Sequence, residues 1–163
     1  METLIEFPAS MKISTKGHYA VQALVDLAVQ PTGSPVSLAS ISARQDISLN
    51  YLEQLFLKLR KAELVKSVRG PGGGYLLGKE PSQISIGEIF EAVDENIILS
   101  DCVDDSAQSS CSKTQNCLTQ LLWSRITSSL KKTLYSISLA EVSSETLNAT
   151  GVSNDKPSFI YQL

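Results

Sequence analysis

The chain has 163 residues, of which 42% are hydrophobic and 19% are charged, a composition typical of a globular protein rather than a disordered one. No run of 18 apolar residues occurs, so no transmembrane helix is expected. The first ten residues, METLIEFPAS, lack a basic region followed by a long apolar core. A secretory signal is therefore not expected, and the predicted compartment is the cytoplasm.

The charge divides the chain into two unlike parts. Residues 11–80 carry nine lysines and arginines against five acidic residues, a balance of +4, whereas the remainder carries five against twelve, a balance of −7. A basic segment joined to an acidic one is typical of a nucleic-acid-binding unit with a second unit attached. Chance variation of the surface charge is the alternative interpretation.

Three helices are predicted before the glycine-rich run. After a leader of residues 1–10, Thr15 is a candidate N-cap for a first helix with apolar residues at helical spacing. Ser37 and Ser48 are candidate caps for a short second helix, LASISARQ, and a third, LNYLEQLFLKLRKAE. Two such helices joined by a tight connection form a helix-turn-helix. The buried stripe of the third helix is expected to comprise Leu49, Leu52, Leu55, Phe56 and Leu59.

A β-hairpin is predicted next. Residues 64–69, LVKSVR, alternate in character and include β-branched side chains, and residues 75–77, YLL, return after the run GPGGG. The run lacks the Lys-Ser/Thr of a phosphate-binding loop and joins strand to strand, so it is predicted to be a hairpin tip rather than a nucleotide site. Residues 11–80 therefore read as a winged helix-turn-helix.

Further helices are predicted after the wing. Residues 81–115 should form a connecting helix, capped by Ser85, and a polar loop that carries cysteines, and residues 116–147 show the apolar spacing of a long helix. That helix needs a partner for its apolar face, and the usual partner is the same helix of a second subunit. Packing within its own chain, against the first helix, is the alternative, and both arrangements can hold together. Residues 148–163 are predicted to be a flexible tail. The predicted fold class is mainly α with a small β-hairpin, a winged helix-turn-helix plus a long dimerisation helix.

The third helix and the hairpin tip carry the candidate DNA-binding residues. Five lysines and arginines lie within residues 58–69, opposed only by Glu63. Glutamate can accept from cytosine and glutamine can pair with adenine, although any solvated helix face carries similar side chains. Glycines at a tip allow close approach to a ligand, and an adjacent arginine can enter the minor groove. The candidates are Ser48, Asn50, Tyr51, Glu53, Gln54, Lys58, Arg60, Lys61, Arg69, Gly72 and Gly73.

The three cysteines, Cys102, Cys111 and Cys117, lie within sixteen residues, and no other part of the chain contains one. Thiolates bind iron–sulfur clusters, usually with four ligands in all, so one further ligand is required. Three free thiols and a zinc site with one further ligand are the alternatives. An enzyme is not predicted, because the chain has one histidine, no catalytic carboxylate pair and no nucleophile motif.

The stretches MKISTKGHYAVQALVDLA, ISLNYLEQLFLKLRKAELVKSVRGPGGGYLLGK and IGEIFEAVDE closely resemble the Rrf-two family of bacterial transcription regulators, over about residues 11–140. The resemblance implies a homodimer joined through the long helix that binds pseudo-palindromic, double-stranded promoter DNA. It implies an iron–sulfur cluster, with 2Fe–2S favoured over 4Fe–4S, and control of iron–sulfur assembly genes, with assembly proteins as further candidate partners. It also implies that Tyr51, Glu53 and Gln54 belong to the recognition helix and that Arg69 reaches the minor groove.

The fourth cluster ligand is where the chain departs from the family. Cluster-binding members have a histidine three residues after the last cysteine, where this chain has Gln120, and a shorter first cysteine spacing. In nitric-oxide-sensing and redox-sensing members, a ligand comes from the start of the first helix of the other subunit. His18, the only histidine, lies there and is the candidate fourth ligand, with a surface histidine as the alternative. Further candidates are Asp101, Asp104, Asp105, Glu95, Gln120 and an external thiol.

Three alternative functions remain open at this point. A nitric-oxide or redox sensor of the same family would use a cluster for another signal. A regulator of cysteine metabolism would bind DNA without a cluster. A metal-binding or cluster-carrier protein would have no DNA role at all, which the wing and the third helix argue against.

Overall fold

The computed structural model describes residues 13–31, 33–97 and 119–150, and within them it contains six α-helices and one two-stranded sheet. A 3-10 turn, Pro81–Gln83, precedes the fourth helix. The predicted fold class, mainly helical with a small β-hairpin, is confirmed. No helix in the described ranges is long and apolar enough to cross a membrane. The elements are α1 Thr15–Ala28, α2 Leu38–Gln45, α3 Leu49–Lys61, β1 Val65–Val68, β2 Gly74–Leu77, α4 Ile86–Ala92, α5 Gln120–Ser136 and α6 Leu139–Thr150.

Serine caps begin three of the helices as the sequence predicts. The hydroxyls of Ser37 and Ser48 each accept a hydrogen bond from the backbone N–H three residues further on, at α2 and α3. Ser85 and Glu88 form a reciprocal capping box at the start of α4. These local bonds satisfy backbone donors that an isolated helix end would leave without partners.

The start of α1 differs from the prediction. Ser14, not Thr15, is the N-cap, and its side chain does not cap the helix. Instead the Ser14 backbone N–H donates to the Glu95 carboxylate at 2.9 Å, and its hydroxyl donates to the same group. The prediction of Thr15 was wrong because the carboxylate of Glu95, in the segment just after α4, fixes Ser14.

The core lies between α1, α2 and α3 and continues under the wing and α4. Its largest fully buried side chains include Phe56, Leu24 and Ile41. The predicted stripe of α3 is confirmed for four of its five members, but Leu49 is 39% exposed. At 3.6 residues per turn, Leu49 lies at the solvent edge of the stripe, so the prediction of its burial was wrong.

The wing is attached firmly to the helices. β1 and β2 pair antiparallel, from Val65 opposite Leu77 to Val68 opposite Gly74. The loop before α2 is joined to β2 by a single antiparallel bridge, in which Val36 and Tyr75 exchange backbone hydrogen bonds of 3.0 and 2.8 Å. The Tyr75 ring also packs edge-on against Phe56 of α3, with ring centroids 4.9 Å apart. The position of the wing relative to α3 is therefore set by backbone bonds and by core packing.

The long helix predicted over residues 116–147 is two helices. The chain leaves α5 after Ser136, and a second capping box, Ser138 with Glu141, begins α6. Ile84 accepts from the backbone N–H of Leu139 at 2.7 Å, which pins the break against the start of α4. α6 then packs on α1 with Leu139 fully buried, so one of the two partners predicted for this region, the first helix of the same chain, holds for α6. Residues 148–150, predicted to lie in the tail, are helical.

The second half of α5 packs on α4. Tyr135 lies over Gly87, where a Cβ atom would come within 2.5 Å of the ring. Its hydroxyl donates to the Glu91 carboxylate at 2.7 Å, and that bond raises the pKa of Tyr135 to about 12. Glycine at position 87 is thus what allows α5 to approach α4 closely.

Candidate nucleic-acid interface

The outer face of α3 is polar and ends in a basic turn. Of the candidate residues on this helix and its cap, all but Tyr51 are exposed. The last turn carries Lys58, Arg60 and Lys61, where positive charge complements the negative end of the helix dipole. α3 leads directly through Ala62 and its neighbours into the wing, so the basic turn and the wing follow each other along the chain.

Ser48 and Tyr51 also have roles inside the protein. The Ser48 hydroxyl accepts from the Tyr51 backbone N–H at 3.3 Å. The Tyr51 ring is half-buried and meets Tyr19 of α1 edge-on, with centroids 5.8 Å apart, and Tyr19 in turn lies 5.8 Å from the His18 ring. These contacts set the position of the first turn of α3 against α1.

The wing tip has a shape that only glycine allows. Gly70 and Gly72 have φ values of +106° and +74°, in the region that other residues rarely adopt. At Gly73 a Cβ atom would stand 2.4 Å from the Val68 carbonyl oxygen. Turn geometry inside the chain thus accounts for the predicted residues Gly72 and Gly73. Arg69 precedes the turn and is exposed.

A corner at the end of α4 holds α1 and α3 together. Asp94 has a positive φ of 55°, and its carboxylate accepts from the Lys58 ammonium at 2.8 Å. The Lys16 ammonium donates to the Asp94 carbonyl oxygen. The hydrogen bond and charge of Lys58 lower the pKa of Asp94, and Lys16 and Lys61 add to the effect. Lys58, a candidate DNA contact, is therefore engaged within the protein.

Glu95, the residue after Asp94, connects this corner to the start of α1. Glu95 holds Ser14 as described above, and a Cβ atom on Gly17 would lie 2.9 Å from the Glu95 side chain. His18, the predicted fourth ligand, is exposed on the turn that this contact positions. Glu95 was itself a candidate ligand, and in this arrangement its carboxylate is bonded to Ser14.

A buried carboxylate that sequence reasoning missed joins α1 to α2. Asp26 is 4% exposed and accepts two hydrogen bonds, of 2.9 and 2.6 Å, from the Arg44 guanidinium and one of 2.8 Å from Gln45. The hydrogen bond and the charge of Asp26 raise the pKa of Arg44. This network fixes α2, the first helix of the helix-turn-helix, against α1. The signal that could have revealed it is an aspartate within the apolar run LVDLA.

The predicted cysteine ligands lie outside the described residues. Cys102, Cys111 and Cys117 belong to the range 98–118, as do Asp101, Asp104 and Asp105. Gln120 is described and is the half-buried first residue of α5. Among residues 13–31, 33–97 and 119–150, no three His, Cys, Asp or Glu side chains are grouped as a metal site.

The first half of α5 exposes apolar side chains. Leu121 is 77% exposed, Leu122 51%, and Trp123 and Ile126 36% each. On this helix only Thr127 is buried. Such a concentration of large apolar side chains on one segment is unusual for the solvent-exposed surface of a monomeric protein.

Comparison with known proteins identifies the family. The Rrf2 family profile, described as an iron-dependent transcriptional regulator, matches residues 13–145. The HTH-type transcriptional regulator IscR of Escherichia coli (O1:K1 / APEC) is 47% identical over 143 residues, 86% of each chain. Among solved structures, T. potens IscR has a TM-score of 0.68 and 40% identity, covering 89% of this chain and 95% of that one. CymR, the global cysteine regulator of B. subtilis, has a TM-score of 0.67 and 36% identity, covering 83% and 98%.

These likenesses extend over the winged unit and the helices that follow it. The E. coli relative is named a transcriptional regulator, as is the family, and neither name describes an enzyme. The exposed polar face of α3 and the attached wing agree with that role. The chain therefore belongs to the Rrf2 family and is a DNA-binding transcription regulator of the IscR-like kind.

Proposed function

We propose that α3 and the wing form the surface that binds promoter DNA. The observation that carries this is the exposed basic last turn of α3, which leads directly into the wing that bears Arg69. Glu53 and Gln54, on the outer face of α3, can bond to base edges in the major groove, and Arg69 can enter the minor groove. The proposed contact set is Ser48, Asn50, Tyr51, Glu53, Gln54, Lys58, Arg60, Lys61, Arg69, Gly72 and Gly73.

Members of this set would contribute in different ways. Ser48 and Tyr51 cap and pack the first turn of α3, so part of their effect on DNA affinity would come through its position. Lys58 would have to exchange Asp94 for a phosphate, which reduces its net gain. Gly72 and Gly73 would act through the shape of the tip. Direct base contact is thus concentrated on Glu53, Gln54 and Arg69.

We infer that a second copy of the chain covers the first half of α5. Leucine and tryptophan side chains exposed to this extent are stabilised by burial, and identical helices are the usual partners in symmetric dimers. A two-fold dimer would present two copies of α3 to successive half-sites on one face of a pseudo-palindromic duplex.

Cys102, Cys111 and Cys117 would hold an iron–sulfur cluster, with 2Fe–2S favoured over 4Fe–4S. The donor chemistry fits, since three thiolates suit such a cluster and leave one ligand position open. His18 of the other subunit is the proposed fourth ligand, because it is the only histidine of the chain and is exposed on α1. Assembly of such a cluster requires available iron. When bound, the cluster would supply iron that can react with oxygen or nitric oxide.

The corner at the end of α4 offers a physical link between the cysteine segment and α3. Asp94 holds Lys58 of α3 and Lys16 of α1, and Glu95 holds Ser14. The cysteine segment follows within a few residues along the chain. A displacement of this corner would alter its contacts with both α1 and α3, and we expect it to change the spacing of the two recognition helices in a dimer.

The proposed function is control of iron–sulfur assembly genes, in the cytoplasm, according to iron–sulfur status. Assembly proteins are the proposed source of the cluster. A second candidate is a regulator that binds DNA without a cluster. It is favoured by the structural likeness to CymR, which is named a cysteine regulator.

Anaerobic reconstitution of the full-length protein tests this proposal. We expect visible absorption and Mössbauer spectra of an iron–sulfur cluster in the wild type and their loss in Cys111→Ser. His18→Ala should shift the spectrum or shorten the lifetime of the cluster in air, whereas Thr15→Ala, an exposed neighbour on α1, should not. An unchanged spectrum and lifetime in His18→Ala would exclude His18.

Binding to a duplex selected from a random-sequence library completes the test. A wild type that binds the duplex and takes up no cluster would favour the cluster-free regulator. A cluster that forms but leaves affinity unchanged except after nitric oxide or oxidant would favour the nitric-oxide or redox sensor.

A further inference from the structure

One large apolar side chain lies in the middle of the polar face of α3. Leu57 is 59% exposed, although the other leucines in this part of the helix are buried. It lies four residues after Glu53 and three after Gln54, so it occupies the same face one turn further along the helix. Lys61 lies one turn beyond it on that face.

Packing inside the chain does not explain this leucine. It belongs neither to the buried core nor to the half-buried apolar residues that pack against the core. Single exposed leucines are common on protein surfaces, so exposure alone means little. What distinguishes Leu57 is its place between a carboxylate, an amide and a basic turn, on the surface proposed to enter the major groove.

The DNA proposed to bind this surface presents one apolar group at a base edge, the methyl group of thymine. In the major groove the bases present hydrogen-bond donors and acceptors, and only thymine adds a methyl group, at C5. The positive charge around Leu57 matches the phosphates on either side of the groove. An uncharged aliphatic side chain at this point has no hydrogen bond to give and gains only from apolar contact.

We propose that Leu57 is a specificity-determining residue that contacts the C5 methyl group of a thymine in each operator half-site. The proposal rests on the proposed function, since it requires α3 to lie in the major groove. It adds a preference that the polar residues of α3 cannot supply. The same preference should extend to 5-methylcytosine, which presents a methyl group at the same place.

Replacing thymine by deoxyuridine, one position at a time, tests this in the selected duplex. The substitution removes only the methyl group and keeps every hydrogen bond of the base pair. For the wild type we expect one thymine per half-site at which deoxyuridine weakens binding about four-fold, the equivalent of ~0.8 kcal/mol for one buried methyl group. Fluorescence anisotropy at fixed salt measures the dissociation constants.

The variant Leu57→Ala assigns the effect to this side chain. It should bind the thymine and deoxyuridine duplexes equally, because alanine does not reach the methyl group. Leu147→Ala, which shortens an exposed leucine on α6, should keep the four-fold discrimination of the wild type. Discrimination retained in full by Leu57→Ala would overturn the proposal, as would a wild type indifferent to deoxyuridine at every thymine.

A parallel measurement with Arg69→Ala separates this inference from the proposed function. If Arg69→Ala binds the duplex weakly and deoxyuridine has no effect on the wild type, α3 and the wing bind DNA but Leu57 does not read thymine. If neither Arg69→Ala nor Leu57→Ala alters binding, the proposed DNA surface itself is wrong, and the inference fails with it.

Discussion

α3 and the first half of α5 are both amphipathic helices, yet they leave opposite faces to solvent. α3 turns its stripe of leucines and Phe56 into the core and presents polar and basic side chains outward. α5 leaves Leu121 and Leu122 outward and buries only Thr127. The outer face of α3 is therefore well solvated in a single chain and suits a polyanion. The exposed apolar face of α5, by contrast, is removed from water only when an apolar partner covers it.

This difference means that affinity for DNA and self-association can be separated by mutation. A change on α5 should alter both properties, because two half-sites are read only by two joined subunits. A change on α3 or the wing should alter DNA affinity alone.

Leu122→Glu should have the largest effect. A carboxylate placed in an apolar interface is costly to desolvate, so we expect the dimer to dissociate. Affinity for the pseudo-palindromic duplex should fall by about 100-fold or more, because the second half-site no longer adds to the first. Because Leu122 is exposed in the single chain, the monomer should keep its helical circular dichroism.

The matched control carries the same charge on the other face of α5. Ser124 lies two residues from Leu122, about 200° around the helix, and is also exposed. Ser124→Glu should remain dimeric in analytical ultracentrifugation and should bind DNA nearly as well as the wild type. Equal behaviour of the two variants would contradict the assignment of the apolar face as the dimer interface.

Arg69→Ala should have the next largest effect, and on DNA affinity alone. Loss of one base or groove contact costs ~1–3 kcal/mol, so affinity should fall by about 5-fold to 150-fold, with the dimer intact. Lys66→Ala, on the same hairpin and exposed, should cost less and lower the salt dependence by about one phosphate contact. Wild-type binding by Arg69→Ala would remove the wing from the interface.

The winged unit could be predicted closely from the sequence because its signals are local. Serine caps, the apolar stripe of α3 and the alternation of β1 each depend on residues within one turn or one strand. The Ser14–Glu95 contact, by contrast, joins residues 81 apart, and Lys58–Asp94 joins residues 36 apart. No local pattern encodes such pairs, so the corner that couples α1, α3 and α4 emerges only from the fold.

The break between α5 and α6 shows a different limit. Apolar spacing continues through Ile137, so periodicity predicts one helix, although SLAE at residues 138–141 repeats the capping signal SIGE of residues 85–88. Of the candidate site, sequence could find the polar face of α3. The sequence could not show that Tyr51 packs on Tyr19 rather than facing only solvent.

The smallest expected effect concerns the joint between α4 and α6. There the capping boxes of the two helices meet through the bridge between Ser85 and Ser138. The Ser85 backbone N–H, and to a lesser degree Lys79, lower the pKa of Glu88 below its usual 4.5. A carboxyl group whose folded-state pKa is depressed stabilises the fold above its unfolded pKa. That contribution is lost as the pH falls through the folded-state value.

Glu88→Gln should keep the hydrogen bonds of the capping box, which glutamine also forms, but not their dependence on pH. In urea unfolding at fixed protein concentration, the wild type should lose more stability than Glu88→Gln between pH 6 and pH 3. The difference should stay below about 1 kcal/mol, because the carboxylate is partly solvated. Lys79→Ala removes a lesser cause of the shift and should give an intermediate result. Identical pH profiles for all three proteins would mean that the joint between α4 and α6 does not depend on this charge.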